Sequence, residues 1–474
     1  MRINKLIKIQ LMMLGFASVS FAQQKINLDT YLEQVKKNNP AFKATQDASE
    51  GAKLRATEGT LLILPQLEVV AQKSVDQTEG TNPSASGTKS TNEAYSVSLL
   101  QNTPIGLKGK LSYSQNYYLI ENAALSYPAP YDDGFYRTGP SIELTQSLWK
   151  NFFGSEVRAQ RTQINAAAQA AQYMERAKNL GVIIEAQNTY HNLYFTKKTV
   201  AAFKESMGVA EKLRGWSKKR LDQGLGESSD YYQTKAAYEL RELEYLNALD
   251  AEKAAARAFN SLKGENSETV TELLDAPTLP VFNKKNFSEQ TWSDEVRAAS
   301  KQAEAAKATS LLGKERNRPT LDLYGKYAWT GLDVDKDEAK DESMADNHPV
   351  YSVGVKFVMP LAFGKSSDVI EGYKLEAQAA DLAFRRKAQE QERDYNNLIA
   401  KIENANLRLK LVSTLEESQR IKSQTERKRH DRGRTTFFQV LQFEQDYLTA
   451  QLTKIKTEAE LNTLLTQLQQ YRGE

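Results

Sequence analysis

The sequence predicts a mostly α chain with β, in which short alternating strands feed two very long helical rods and the whole is laid out as two internal repeats. Three observations predict it. First, residues 220–264 open with Arg220-Leu221-Asp222-Gln223-Gly224 and close with Leu262-Lys263-Gly264, while residues 429–473 open with Arg429-His430-Asp431-Arg432-Gly433 and close with Tyr471-Arg472-Gly473. The offset is 209 residues at both ends (429 − 220 and 473 − 264), and self-similarity at a fixed offset marks duplicated structure. Second, Phe153-Gly154 and Phe363-Gly364 each follow an alternating apolar run and lie 70 and 69 residues before the glycine of the Arg-x-x-x-Gly turn. Third, residues 155–219 contain no proline and are rich in Ala, Gln, Glu, Lys and Arg, which at about 1.5 Å per residue makes a rod of roughly 100 Å. Such a rod is not stable alone in water and must pack against other helices.

The elements follow in order. Residues 1–22 read as a signal peptide: Arg2, Lys5 and Lys8, an apolar core from Leu11 to Phe21, and Ser20-Phe21-Ala22 as a small-x-small cleavage site. The core is too short to span a bilayer. Residues 28–64 look helical, interrupted at Asn38-Asn39-Pro40 and ended by Pro65. Alternating runs at 67–72, 95–99, 107–117 and 141–148 predict four strands, separated by a polar loop at 77–93, a turn at Pro104-Ile105-Gly106 and a loop holding Tyr127, Pro128, Pro130, Tyr131, Asp132, Asp133 and Gly134. The second repeat is leaner, with strands at 321–327 and 351–357 around an acidic loop at 333–346. Descending helices at 227–263 and 436–470 carry Leu240, Leu243, Leu246 and Leu249 in one, and Leu441, Leu448, Leu452, Ile455 and Leu461 in the other. The division is therefore 1–22 signal peptide, 23–265 repeat 1 (strands about 66–148, helix hairpin 155–263), 266–290 linker, and 291–474 repeat 2 (strands about 320–358, helix hairpin 365–472).

Composition narrows the function classes. The chain has 63 Lys+Arg against 60 Asp+Glu, so loss of the three cations of the signal leaves 60 of each, a balance that argues against a nucleic-acid partner. Cysteine is absent, which removes a lipid-acceptor thiol and a disulfide framework. The three histidines, His191, His348 and His430, are scattered, and no metal-ligand spacing, phosphate loop or nucleophile motif occurs. No metal, cofactor or catalytic residue is expected. Asp333, Asp335, Asp337, Glu338, Asp341 and Glu342 lack the glycine and terminal glutamate spacing of an EF-hand and read as a solvated loop. Beyond the signal no apolar run is long enough for a transmembrane helix, but alternating strands with one apolar and one polar face suit a membrane β-barrel. The 22 tyrosines, seven of them between Tyr95 and Tyr136, suit its interfacial girdles. So few strands cannot close a wide barrel in one chain, and an oligomer sharing one barrel above one helical tube satisfies all these features.

The chain resembles the TolC-like outer-membrane efflux protein family (the outer membrane factors) over nearly its whole mature length. The resemblance rests on Asn39-Pro40, the helix ends Leu64-Pro65 and Arg318-Pro319, the Phe-Gly steps at 153–154 and 363–364, and above all the twin Arg-x-x-x-Gly turns. It implies a homotrimer whose chains share one barrel in outer-membrane lipid, continued by a long periplasmic α-helical barrel. It implies a passive exit duct of a tripartite efflux pump or type I secretion system, working with a periplasmic adaptor (membrane fusion) protein and an inner-membrane pump or ABC transporter. Many members have two strands per repeat and twelve in the trimer; the extra hairpin around Pro104-Ile105-Gly106 predicts eighteen strands, or a hairpin folded near the periplasmic rim. The competing reading is a periplasmic coiled-coil adaptor or scaffold, which would place a lipoyl-like or barrel domain between the rods.

By this resemblance the turns at Gln223, Gly224 and Leu225 and at Arg432, Gly433 and Arg434 are the periplasmic tips that meet the adaptor. Family members often carry carboxylates six and nine residues after the second glycine; here those positions are Gln439 and Gln442, so an acidic gate does not carry over. Asp230, six residues after the first glycine, does match a common acid. Asp222, Glu227, Asp431, Arg429 and Arg432 are candidates for salt bridges that hold the entrance shut, and His430 reads as a surface histidine in the turn.

Overall fold

A computed structural model of the chain describes residues 25–78, 87–122, 129–277, 291–345 and 348–471. The signal peptide at 1–22, Tyr127, Pro128, and parts of the 77–93 loop, the 266–290 linker and the acidic loop lie outside the described residues. The chain falls into two compact units, one of residues up to Lys43, Leu180–Glu289 and Asn396–Gln470, the other of Ala44–Asn179, Gln290–Tyr395 and the C-terminus.

The described elements run β1 (Lys25–Ile26), α1 (Leu28–Asn38), α2 (Pro40–Arg55), α3 (Glu58–Leu61), β2 (Gln66–Asp76), β3 (Lys89–Asn102), β4 (Leu107–Glu121), β5 (Phe135–Ser147), α4 (Ser155–Asp222), α5 (Ser228–Lys263), β6 (Leu273–Leu274), α6 (Asp294–Arg316), β7 (Thr320–Trp329), β8 (Gly331–Asp333), α7 (Lys336–Met344), β9 (Pro349–Val358), α8 (Phe363–Asp431) and α9 (Phe437–Gln467). The two proline-free stretches are single helices of 68 and 69 residues. Asn39 explains the break before Pro40. Its Oδ1 accepts from the backbone N–H groups of Ala41 (2.9 Å) and Phe42 (3.1 Å), capping α2, while its Nδ2 donates to Leu262 O (3.1 Å).

In the first unit the core gathers around Tyr31, Tyr190 and Phe259. Tyr31 stacks on Phe259 at 4.1 Å and donates its hydroxyl to Phe259 O, and the Tyr190 hydroxyl donates to Ile26 O, fixing the short parallel pair β1–β6. Buried Leu193, Ala255, Ala256 and Val35 close the cluster.

In the second unit six long strands form one antiparallel sheet in the order β2-β3-β4-β5-β7-β9, with the short β8 also on β5. The four strands expected before the first rod and the two before the second are all present, and the extra hairpin β3–β4 lies inside the sheet. The register carries one row from Leu67 through Leu99, Leu111, Ile142 and Tyr327 to Tyr351. Because side chains alternate faces, neighbouring rows put Val69, Val97, Leu144, Leu323, Val353, Val355 and Phe357 on that same face. They face away from any protein: Leu67 is 71% exposed and Val353 79%. The opposite face carries Glu68, Ser96, Ser98, Ser112, Ser114, Ser141 and Ser352. Across it the Glu68–Lys110 (3.2 Å) and Glu143–Lys326 (2.8 Å) ion pairs alternate in sign.

The acidic segment differs from the loop expected there. It folds into β8 and the nine-residue helix α7, capped by Asp335, whose Oδ1 accepts from the N–H groups of Asp337 (2.8 Å) and Glu338 (3.2 Å). Glu342 accepts from Leu332 N (2.6 Å), so both of these carboxylates also tie backbone. Contact is close enough that a Cβ on Gly331 would lie 1.9 Å from Ala339 O.

The two Phe-Gly steps also differ from each other. Phe363-Gly364 simply begins α8, whereas at Phe153-Gly154 the chain is knotted, with positive φ at Asn151 (58°), Phe153 (45°) and Gly154 (76°). A Cβ on Gly154 would lie 1.8 Å from Pro104 O, so the β3–β4 turn rests directly on this step. Asn151 holds it: its Oδ1 accepts from Glu156 N and Val157 N at the start of α4, and its own N–H donates to the buried Glu315 (3.0 Å), which also binds Arg318 (2.7 Å).

Candidate functional site at the paired helix turns

The two Arg-x-x-x-Gly segments end their helices with the same hydrogen bonds. Leu225 N donates to Arg220 O (2.8 Å) and Gly224 N to Leu221 O (2.9 Å); Arg434 N donates to Arg429 O (2.9 Å) and Gly433 N to His430 O (2.8 Å). Both glycines sit at φ +68°. This is the Schellman closure, which needs a left-handed residue and favours glycine there. Gln223, Gly224, Leu225, Arg432, Gly433 and Arg434 are thereby displayed at the tips of two tight hairpins, with Leu225 68% exposed.

The next helices start differently. Thr436 caps α9 by accepting from Gln439 N (3.3 Å), and the Gln439 side chain accepts from the Thr435 hydroxyl. Glu227 precedes α5 without a side-chain cap, and Asp230 lies in the first turn, where the helix dipole favours its charge. Gln442 donates to Asp446 (3.0 Å), a carboxylate that also pairs with Lys422 (3.5 Å). Arg429 pairs with Glu426 (3.3 Å), while Asp222, Glu227, Asp431 and Arg432 form no ion pair among the described residues.

His430 is not the free surface histidine expected. Its ring stacks on Trp216 (5.4 Å, 12°) and packs on Phe437 (4.6 Å), joining the first hairpin to the second. Burial, aided by Arg220, lowers its pKa against the opposing pull of Asp431. Leu213, Phe437 and Val440 form the buried cluster beside it.

Behind the turns, sequence reasoning missed a polar cluster. Glu444 on α9, 6% exposed, accepts two bonds from Arg427 and one from the Ser423 hydroxyl. Arg241 on α5 bonds both Glu244 and Gln445, linking α5 to α9. Glu444, Arg241 and Gln445 border a cavity of about 210 Å³ lined also by Ser206, Ala237, Leu240 and Phe438. The signal in the sequence is weak: an arginine on a long polar helix looks like any solvated arginine until the facing helix is placed. Among the described residues no His/Cys/Asp/Glu group is arranged to hold a metal ion.

Residues 291–474 match the family model described as outer membrane efflux protein. Over that segment the chain is similar to the outer membrane efflux proteins. The fold extends the likeness to nearly the whole chain. It resembles the outer-membrane channel OprN (TM-score 0.67, 16% identity, 94% of this chain and 89% of that one). It resembles VceC from Vibrio cholerae (0.66, 15%, 93% and 94%) and the Campylobacter jejuni CmeC outer membrane channel (0.65, 15%, 94% and 85%). No curated protein matches the chain by sequence. Both OprN and CmeC are outer-membrane channels.

Proposed function

We propose that this protein is the exit duct of a tripartite efflux pump or type I secretion system, a passive homotrimeric conduit opened at its periplasmic tips when an adaptor and an inner-membrane pump or ABC transporter dock. The observation that carries the reading is the two-faced sheet. Its apolar face has no protein cover and suits lipid, and its opposite face, with serines and alternating Glu–Lys pairs, suits a water-filled lumen. Two helix rows support a trimer: Leu240, Leu243 and Leu246 on α5, and Leu407, Leu411 and Leu415 on α8, are each about half exposed or more. Apolar rows of that length at helical spacing call for a neighbouring copy.

In this reading the adaptor meets Gln223, Gly224, Leu225, Arg432, Gly433 and Arg434. Asp222, Asp230, Arg429, Asp431, Gln439 and Gln442 line the entrance, which carries less negative charge than an acidic gate. Reconstitution in planar bilayers tests the conduit: stable unit conductance steps are expected, and a purified trimer that never conducts, with or without an adaptor, would sink the proposal. Leu225→Asp should abolish efflux in cells at unchanged outer-membrane level.

A further inference from the structure

The sheet ends in two open edges, β2 and β9. Six strands are too few to close on themselves, since about eight make the smallest filled barrel. Every neighbouring pair from β2 to β9 is antiparallel, so the first and last strands of the six run oppositely and copies can join edge to edge without breaking the pattern. Resting on the homotrimer of the proposed function, we propose that three copies close one eighteen-stranded barrel, β9 of each pairing with β2 of the next in the register that sets Val355 opposite Val69.

Three features select that register. It sets Gln66, the first residue of β2, opposite Val358, the last of β9, so the whole of Pro349–Val358 is paired between Gln66 and Val75. On the apolar face it joins Leu67 to Phe357, Val69 to Val355 and Ala71 to Val353, side chains that are exposed in the single chain. On the polar face it brings Glu68 to Lys356 and Gln72 to Ser352, extending the alternation of Glu68–Lys110 and Glu143–Lys326 across the junction. A one-residue slip sets the apolar face of β2 against the polar face of β9. A two-residue slip loses the Glu68–Lys356 encounter, leaving Glu68 opposite Gly354 or Val358.

The same register gives barrel geometry. The row that starts at Leu67 leaves the copy at Tyr351, and Tyr351 then faces Lys73 of the next copy, a climb of about one residue per strand. At about 3.3 Å per residue and about 4.8 Å between strands this tilts the strands by roughly 35°, within the range of about 35–45° that closed barrels adopt. A barrel of about 16–18 strands leaves an aqueous channel. Its wall of alternating Glu and Lys admits bulky solutes of either sign.

The chain has no cysteine, so engineered disulfides report on the junction alone. Val69→Cys/Val355→Cys, oxidised in outer membranes and boiled without reductant, is expected to run as a covalent ring of three. Val69→Cys/Tyr351→Cys should link at least ten-fold less, and Ala71→Cys/Val353→Cys provides a second in-register pair should the first variant not assemble. Trimers by native mass spectrometry whose in-register pairs both run as single chains would overturn the eighteen-stranded closure, and a covalent ring of two would replace it with twelve strands. Native masses that are not trimeric would instead defeat the homotrimer of the proposed function.

Discussion

The guanidinium of Arg427 grips both carboxylate oxygens of Glu444 on the facing helix, Nε lying 2.5 Å from Oε1, while Ser423 donates to the same oxygen. A bidentate pair of this kind fixes the pitch at which α8 and α9 cross. Glu444→Gln leaves the arginine half-answered in a site where Glu444 is buried. The expected loss is about 1–3 kcal/mol, below the roughly 3–5 of a fully enclosed pair because the Arg427 side chain remains 33% exposed. Thermal unfolding of the detergent-solubilised protein checks it; an unchanged midpoint would show that the pair contributes nothing.

Arg241 ties α5 to Gln445 on α9 and so joins the two hairpins, which under the proposed function the opening of the tips would part. Arg241→Ala should raise the mean conductance in planar bilayers several-fold and sensitise cells to large antibiotics. Gln445→Ala should do the same more weakly, because Arg241 keeps Glu244. Variants that fold but conduct as the parent does would show that the tie has no part in closure.

The two tip glycines at φ +68° have nothing within 4 Å of the Cβ position, so space permits alanine and only backbone strain opposes it. Gly224→Ala and Gly433→Ala should each cost about 1 kcal/mol. The loss should appear as faster amide hydrogen exchange confined to the turns and the last turns of α4 and α8.

His191 is 7% exposed, its Nδ1 has no partner, and burial pushes its pKa down to about 4. The unfolded chain therefore binds the extra proton first as pH falls, and stability is lost below the ordinary histidine value of about 6.5, down through about 4. Between pH 7.5 and 5 the loss attributable to His191 is about 2 kcal/mol. Unfolding midpoints across that range should flatten in His191→Gln; an equal slope in the variant would show that other groups carry the pH dependence.

Long-range order was legible wherever a signal accumulates along the chain. An unbroken run of helix formers without proline gave both rods, and alternating runs of five to eleven residues gave all six long strands. What stayed hidden depends on few residues or on partners distant in sequence. The helix α7 has nine residues, four of them Asp or Glu, and gains its place from Ala339 and Ser343 sinking against β8. The β1–β6 pair has two residues to a strand. The knot at Asn151-Phe153-Gly154 and the plain helix start at Phe363-Gly364 share a dipeptide, and they diverge because the β3–β4 turn presses on the first. At the tips the glycines and the reversal were readable. The stacking of His430 between Trp216 and Phe437 and the clasp on Glu444 were not, because each needs the angular phase of helices whose contacting residues lie far apart in the chain.

The bare edges of β2 and β9 have a consequence for the life of the chain before assembly. Each offers a row of unanswered N–H and C=O groups beside exposed valines, leucines and aromatics, the combination that recruits stray strands. A solitary copy is therefore a hazard whose duration matters more than its depth in free energy. Output of the gene should be limited by how fast newly exported chains find one another and lipid, and synthesis pushed past that rate should yield periplasmic aggregates rather than more channels.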